Sequence, residues 1–173
     1  MRRFLALAAV LPGYAAVKRT HSVIFGVLSL FLICFIWGQS MLPKSLSAVE
    51  SSFLMRILKP LLDPSARIDD ALFHHCLRKA AHFSEYAALG FCFSGFLWNL
   101  QWKARISRVP TAILVPLVIA SIDESIQFFS EGRGPQIRDV LLDTFGALFG
   151  LAVYLILRLI INARTEKNSR GSV

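Results

Sequence analysis

The sequence predicts an all-α, polytopic membrane protein: a bundle of four transmembrane helices with an outer amphipathic helix between spans one and two. Three observations carry this reading. Of the 173 residues, 55% are hydrophobic and only 17% charged, and the mean hydropathy is positive. Long uncharged runs recur, and the cations gather at their ends. A soluble domain of this length rarely reaches that balance, whereas runs of about 20 apolar residues match the hydrocarbon thickness of a bilayer. The net charge of +8 therefore reads as a topology signal and argues against a nucleic-acid surface.

Residues 1–19 are assigned as an interfacial segment on the cytoplasmic side. Arg2 and Arg3 precede a short apolar stretch broken at Pro12 and Gly13, which resembles the start of a signal peptide but is too short to span. The membrane domain covers 20–161. Its first span, 21–39, is uncharged and ends near Trp37, while Lys18 and Arg19 hold its start inside. Ser47 and Glu50 then stand at capping-box spacing. Val49, Phe53, Leu54, Ile57, Leu58 and Leu61 recur at helical intervals until Asp63 and Pro64, predicting a helix on the outer membrane surface.

Asp69 and Asp70 cap the next helix, which passes His74 and His75 and becomes the second span, 78–100, closed by Lys103, Arg105 and Arg108. The third span, 110–130, returns outward and tolerates Pro116 where neighbouring helices satisfy the freed backbone. The loop E-G-R-G-P-Q-I-R has turn chemistry and brings Arg133 and Arg138 to the outer surface. The fourth span, 139–161, is followed by a polar, disordered cytoplasmic tail, 162–173, with Arg158, Arg164, Lys167 and Arg170 holding it inside. Cys34, Cys76 and Cys92 show no pairing pattern, so neither a disulfide framework nor a zinc knuckle is expected.

The charges inside the spans follow a pattern. At about 100° per residue, His75, Arg78, Lys79, His82, Glu85 and Tyr86 share about 120° of one helical face. Asp123, Glu124 and Gln127 share a face of the third span, and Asp139 and Asp143 stand four residues apart in line with Gly146 and Gly150. With a rise of about 1.5 Å per residue, Glu85, Asp123 and Asp143 fall roughly 6 to 10 Å below the outer surface. Ionised groups at that depth must face the bundle interior, pair with one another or meet water. Lys79, Arg133 and Arg138 offset part of the negative charge, and the excess leaves room for a bound cation or a cationic ligand group.

Simpler roles compete at the edges. Arg78 and Lys79 can snorkel to headgroups, Asp139 can serve as a helix N-terminal acid, and His74 and His75 stand at a water interface. Gly146 and Gly150 are spaced for close helix packing. If the site is catalytic, its candidates are His82, Glu85, Asp123 and Glu124. In that case His82 or Glu85 acts as a base towards a lipid-linked phosphate held by Lys79, Arg133 and Arg138, or His82 and Glu85 join Asp123, Asp139 and Asp143 as metal ligands. No serine or cysteine stands in a nucleophile motif, and no metal site or cofactor is assigned. The apolar inner halves of the spans argue against a monomeric channel.

The segments R-K-A-A-H-F-S-E-Y-A-A-L-G and D-E-S-I-Q-F-F-S-E-G-R-G-P-Q-I-R-D-V-L-L-D-T-F-G-A-L-F-G resemble those of the VanZ-like membrane proteins. That family's pattern is a Lys-x-x-His-x-x-x-Tyr block, an Asp-Glu-x-x-Gln block, an Arg, an Asp and paired glycines. The resemblance covers about 24–159 and falls on Lys79, His82, Glu85, Tyr86, Asp123, Glu124, Gln127, Arg133, Asp139, Asp143, Gly146 and Gly150. Asp143 stands where many relatives are expected to carry Asn. The family's founding member is associated with low-level resistance to the glycopeptide teicoplanin. The resemblance thus implies an envelope role in a bacterial inner membrane. The expected ligand-binding set is Lys79, His82, Glu85, Tyr86, Asp123, Glu124, Gln127, Arg133, Asp139 and Asp143. Its expected partner is a membrane lipid or lipid-linked cell-wall precursor, and the alternative is an intramembrane hydrolase or transferase.

Overall fold

The computed structural model describes residues 12–100, 107–130 and 136–171. Every regular element among them is a helix: α1 (Pro12–Ser40), α2 (Lys44–Leu62), α3 (Asp70–Asn99), α4 (Arg108–Phe129) and α5 (Ile137–Gly171). Three of these, within Ala16–Ser40, Arg108–Phe129 and Ile137–Asn168, are long and apolar enough to cross a membrane. The expected second span, α3, does not reach that apolarity, because the stripe from His74 to Glu85 lowers its hydropathy.

Apolar side chains face outwards on all three spanning candidates: Phe31 is 64% and Phe145 62% exposed, and Leu114, Val118 and Leu159 are exposed as well. Asp123 and Glu124 on α4 and Asp143 on α5 are buried. That inversion of the soluble pattern is the arrangement a hydrocarbon solvent demands. Hydroxyls follow the same rule by bonding within their own helix. Ser29 Oγ donates to the Phe25 carbonyl at 2.7 Å, Ser94 Oγ to Gly90 at 2.6 Å and Thr144 Oγ1 to Val140 at 2.7 Å.

α3 is the central element, touching the other four helices. It runs in the same direction as α5: Lys79 pairs with Asp139 near their N-termini, Phe83 packs on Phe149, and Trp98 meets Tyr154 further along. α1 runs against it, since Ser22 Oγ approaches the Phe96 carbonyl at 3.5 Å, Phe25 meets Phe91, and Ile36 joins Tyr86 and Leu89. α4 follows α1, with Ile119 and Ala120 in the same cluster. The four helices therefore alternate in direction, and α2 packs against α3.

Several boundaries differ from expectation. The first described helix covers Pro12–Ser40, reaching upstream of the expected span at 21–39; residues 1–11 lie outside the described residues. α2 begins at Lys44 with Pro43 at the N-cap position, so Ser47 lies inside the helix and the expected capping box does not start it. The pre-organised φ of Pro43, −54°, suits that entry. The apolar face of α2 is present, with Val49, Phe53, Leu54, Ile57 and Leu61 all exposed. Asp69 caps α3 as expected, accepting from Ala71 N at 3.0 Å and Leu72 N at 3.3 Å. The expected disordered tail instead continues α5 as helix to Gly171. Ala163, Arg164, Glu166 and Lys167 are good helix formers, and the existing helix supplies their nucleus.

Glycine sets the α3–α5 distance. A Cβ added at Gly150 would collide with the Ala87 carbonyl and Phe91 N, one at Gly90 with the Ala147 backbone, and one at Gly146 would stand 3.2 Å from Tyr86 Cβ. Gly150→Val should therefore lower the stability of the detergent-solubilised protein by about 1–3 kcal/mol or more, read as a fall in thermal midpoint by circular dichroism. Gly38→Ala, where an added Cβ meets nothing within 4 Å, should leave the midpoint unchanged or raise it slightly.

The α2–α3 connection is tied by Asp63, whose carboxylate accepts from Ile68 N and Arg67 N, each at 2.9 Å. Lys59 adds a bond to the Ile68 carbonyl at 3.0 Å and an ion pair with Asp70. The backbone donation from Ile68, then from Arg67, holds the Asp63 carboxyl below the ordinary aspartate value of 3.8. Its contribution is thus complete above that value and is lost as the pH falls through the lower, folded-state value. Hydrogen exchange at the Arg67 and Ile68 amides, relative to the rest of the chain, should rise as the pH falls through that range. Asp63→Asn should raise it already at neutral pH; unchanged exchange in the variant would contradict the tie.

Candidate functional site

The polar stripes meet at the end of the bundle formed by the C-termini of α1 and α4 and the N-terminal halves of α3 and α5. Asp123 is fully buried, Asp143 is 1% exposed and Glu124 4%, while Tyr86 and Ser40 are fully buried and Gln127 is buried. These residues form a floor. Above it, Lys79, His82, Glu85 and Asp139 are half-buried, which gives the cluster a charged, partly accessible rim.

Helical spacing brings the members together. Asp123 and Gln127, four apart on α4, point the same way, so Gln127 Nε2 donates to Asp123 Oδ2 at 3.2 Å. The same amide donates to Ser40 Oγ at 3.3 Å, and Ser130 Oγ donates to the Ser40 carbonyl at 2.7 Å, which locks the ends of α1 and α4 together. Glu124 Oε2 accepts from Gln136 N at 2.8 Å, where the chain enters α5. On the rim, Lys79 pairs with Asp139 across α3 and α5, and His82 Nδ1 stands 3.9 Å from Glu85 Oε2 one turn away. Tyr86 lies one turn below His82, against the close α3–α5 contact at Gly146.

Not every polar atom is satisfied by protein. Tyr86 Oη, Glu124 Oε1 and Asp143 Oδ1 are buried with no hydrogen-bond partner among the described residues. Ligand atoms of His82, Asp123 and Asp143 lie within 4.8 Å of one another. The cluster thus joins buried acceptors to a cationic and imidazole rim, a set suited to holding a cation, sharing protons or anchoring a polar group entering from the rim.

Of the ten residues expected to bind ligand, nine lie in or beside this cluster: Lys79, His82, Glu85, Tyr86, Asp123, Glu124, Gln127, Asp139 and Asp143. Arg133 lies outside the described residues. Arg78 is half-buried, and His75 and Arg138 are exposed at the margin. Two contributors went unanticipated. Ser40 is a lone serine closing an apolar run, and Gln136 acts through its backbone N–H, which no side-chain pattern reveals.

Searches of curated proteins and of solved structures find no match. The VanZ/LLP1 family model matches residues 23–158, a stretch that contains the outward-facing apolar helices, the buried floor and the charged rim. With most of its length and the whole polar cluster inside that match, the chain belongs to the VanZ/LLP1 family.

Proposed function

We propose that this is a four-span protein of a bacterial cytoplasmic membrane that binds an envelope component, a lipid or lipid-linked cell-wall precursor, at a polar site open to the outer leaflet. The observation that carries the reading is the half-buried rim of Lys79, His82, Glu85 and Asp139 above the buried Asp123 and Asp143. A headgroup with anionic and donor groups finds an ammonium, an imidazole and carboxylate acceptors within one small area. In this reading α3 also crosses the membrane, as the second of four spans, supported by its run beside α5 from Lys79 to Trp98. The cation clusters at 18–19, 103–108 and 158–170 support an orientation with both termini in the cytoplasm, and the exposed apolar face of α2 suits the outer interface in that orientation. Retention of such a component accounts for a link to glycopeptide resistance, teicoplanin included, as an effect on the wall or membrane.

A second reading, intramembrane hydrolysis or transfer on a lipid-linked phosphate or amide, is favoured by the approach of His82 to both Glu85 and the buried aspartates. It makes His82, Glu85, Asp123 and Glu124 acid/base or ligand groups, and turnover of added lipid by the purified protein is its signature.

Native mass spectrometry of protein purified with its own lipids tests the binding reading. Wild type should retain a lipid adduct, and Lys79→Ala, Glu85→Ala and Arg133→Ala should each reduce its occupancy, Lys79→Ala by about tenfold or more, equivalent to about 1.4 kcal/mol. An unchanged adduct in all three variants would place the lipid elsewhere.

A further inference from the structure

We propose that His82, Asp123 and Asp143 form a binding site for one divalent transition-metal ion, of the Zn²⁺ or Mn²⁺ class, where the rim of the polar cluster meets its floor. The three residues come from three helices, α3, α4 and α5, and each brings one ligand atom to within 4.8 Å of the others. Ligands about 2.1 Å from a tetrahedral ion are roughly 3.4 Å apart, so the widest pair must close by roughly 1.4 Å, a distance that small side-chain rotations cover.

Two further observations point to an occupant. Asp143 is 1% exposed, yet its Oδ1 has no hydrogen-bond partner among the described residues, and the fully buried Tyr86 hydroxyl is likewise unpartnered among them. Buried polar atoms are normally satisfied, and an exception calls for a water or an ion. The charge argues for an ion. Asp123, Asp143 and Glu124 are buried together, while the nearby Lys79 is engaged with Asp139. A dication on the first two removes their mutual repulsion and supplies the missing partner of Asp143.

The donor set selects the metal class. One imidazole with two carboxylates and no sulfur favours Zn²⁺ or Mn²⁺ over Ca²⁺, which takes oxygen alone. Glu85, 3.9 Å from His82 Nδ1, stands where an outer carboxylate orients a ligating imidazole. Three protein ligands leave a coordination position open towards the rim. The site goes beyond the lipid-binding reading and stands without it, because its three ligands are all protein groups.

The test is metal titration of the untagged full-length protein in detergent, stripped with chelator and dialysed against Zn²⁺ or Mn²⁺, with content read by inductively coupled plasma mass spectrometry. Wild type should bind about one ion per chain, and Asp143→Asn and His82→Gln should each weaken binding by about tenfold or more. Co²⁺ substitution should give a visible absorption band that His82→Gln shifts or abolishes. If Asp143→Asn does not survive purification, His82→Gln, on the accessible rim, decides by the same readings. Absence of saturable binding to wild type, or equal binding by wild type and the variants, overturns the assignment.

Discussion

The close contact between α3 and α5 holds the rest of the molecule in place. Gly90 on one helix and Gly146 and Gly150 on the other have backbone where a side chain would otherwise stand, so the axes approach within reach of dispersion forces and weak backbone contacts. A lipid-exposed bundle has no hydrophobic drive between its helices, so this proximity must come from shape. It also determines what else meets. With the two helices parallel and in this register, Asp143 faces the Tyr86 and His82 side of α3, Lys79 reaches Asp139, and Phe83 covers the joint against Phe149. α4 completes the enclosure with Asp123, and α1 closes the end through Ser40.

The cost of burying several carboxylates in such a layer runs to several kcal/mol per ion when they are ionised and unpaired. The protein offsets part of it with Gln127, the Gln136 amide and the Lys79–Asp139 pair. Among the described residues, Asp143 Oδ1, Tyr86 Oη and Glu124 Oε1 in the floor of the cluster have no hydrogen-bond partner. Buried polar groups gathered in one place beneath an accessible rim are the feature on which the proposed site rests.

Much of this was legible in the sequence. Asp123, Glu124 and Gln127 share a helical face by spacing alone, Asp139 and Asp143 line up with the paired glycines, and the three most apolar runs carry their own spanning signal. The structural role of Gly146 and Gly150 followed from small-residue spacing. Less was readable where the cause is tertiary. The polar stripe keeps α3 below the apolarity of the three spanning candidates, and the packing of that helix against its neighbours is something a window average does not see. Ser40 carries no pattern, and the helical tail beyond Asn162 depends on the length of helix already formed before it. The approach of His82 to Asp123 and Asp143 required knowing which faces of three separate helices turn towards one another.

The central claim is that these faces enclose one polar site within the membrane and that the site receives a partner. The most direct measurement is an experimental structure in nanodiscs of native lipid. The account predicts His82, Asp123 and Asp143 converging below a rim of Lys79 and Glu85, with non-protein density among them. A self-paired cluster packed without added density, or aspartates turned to separate surroundings, would contradict it.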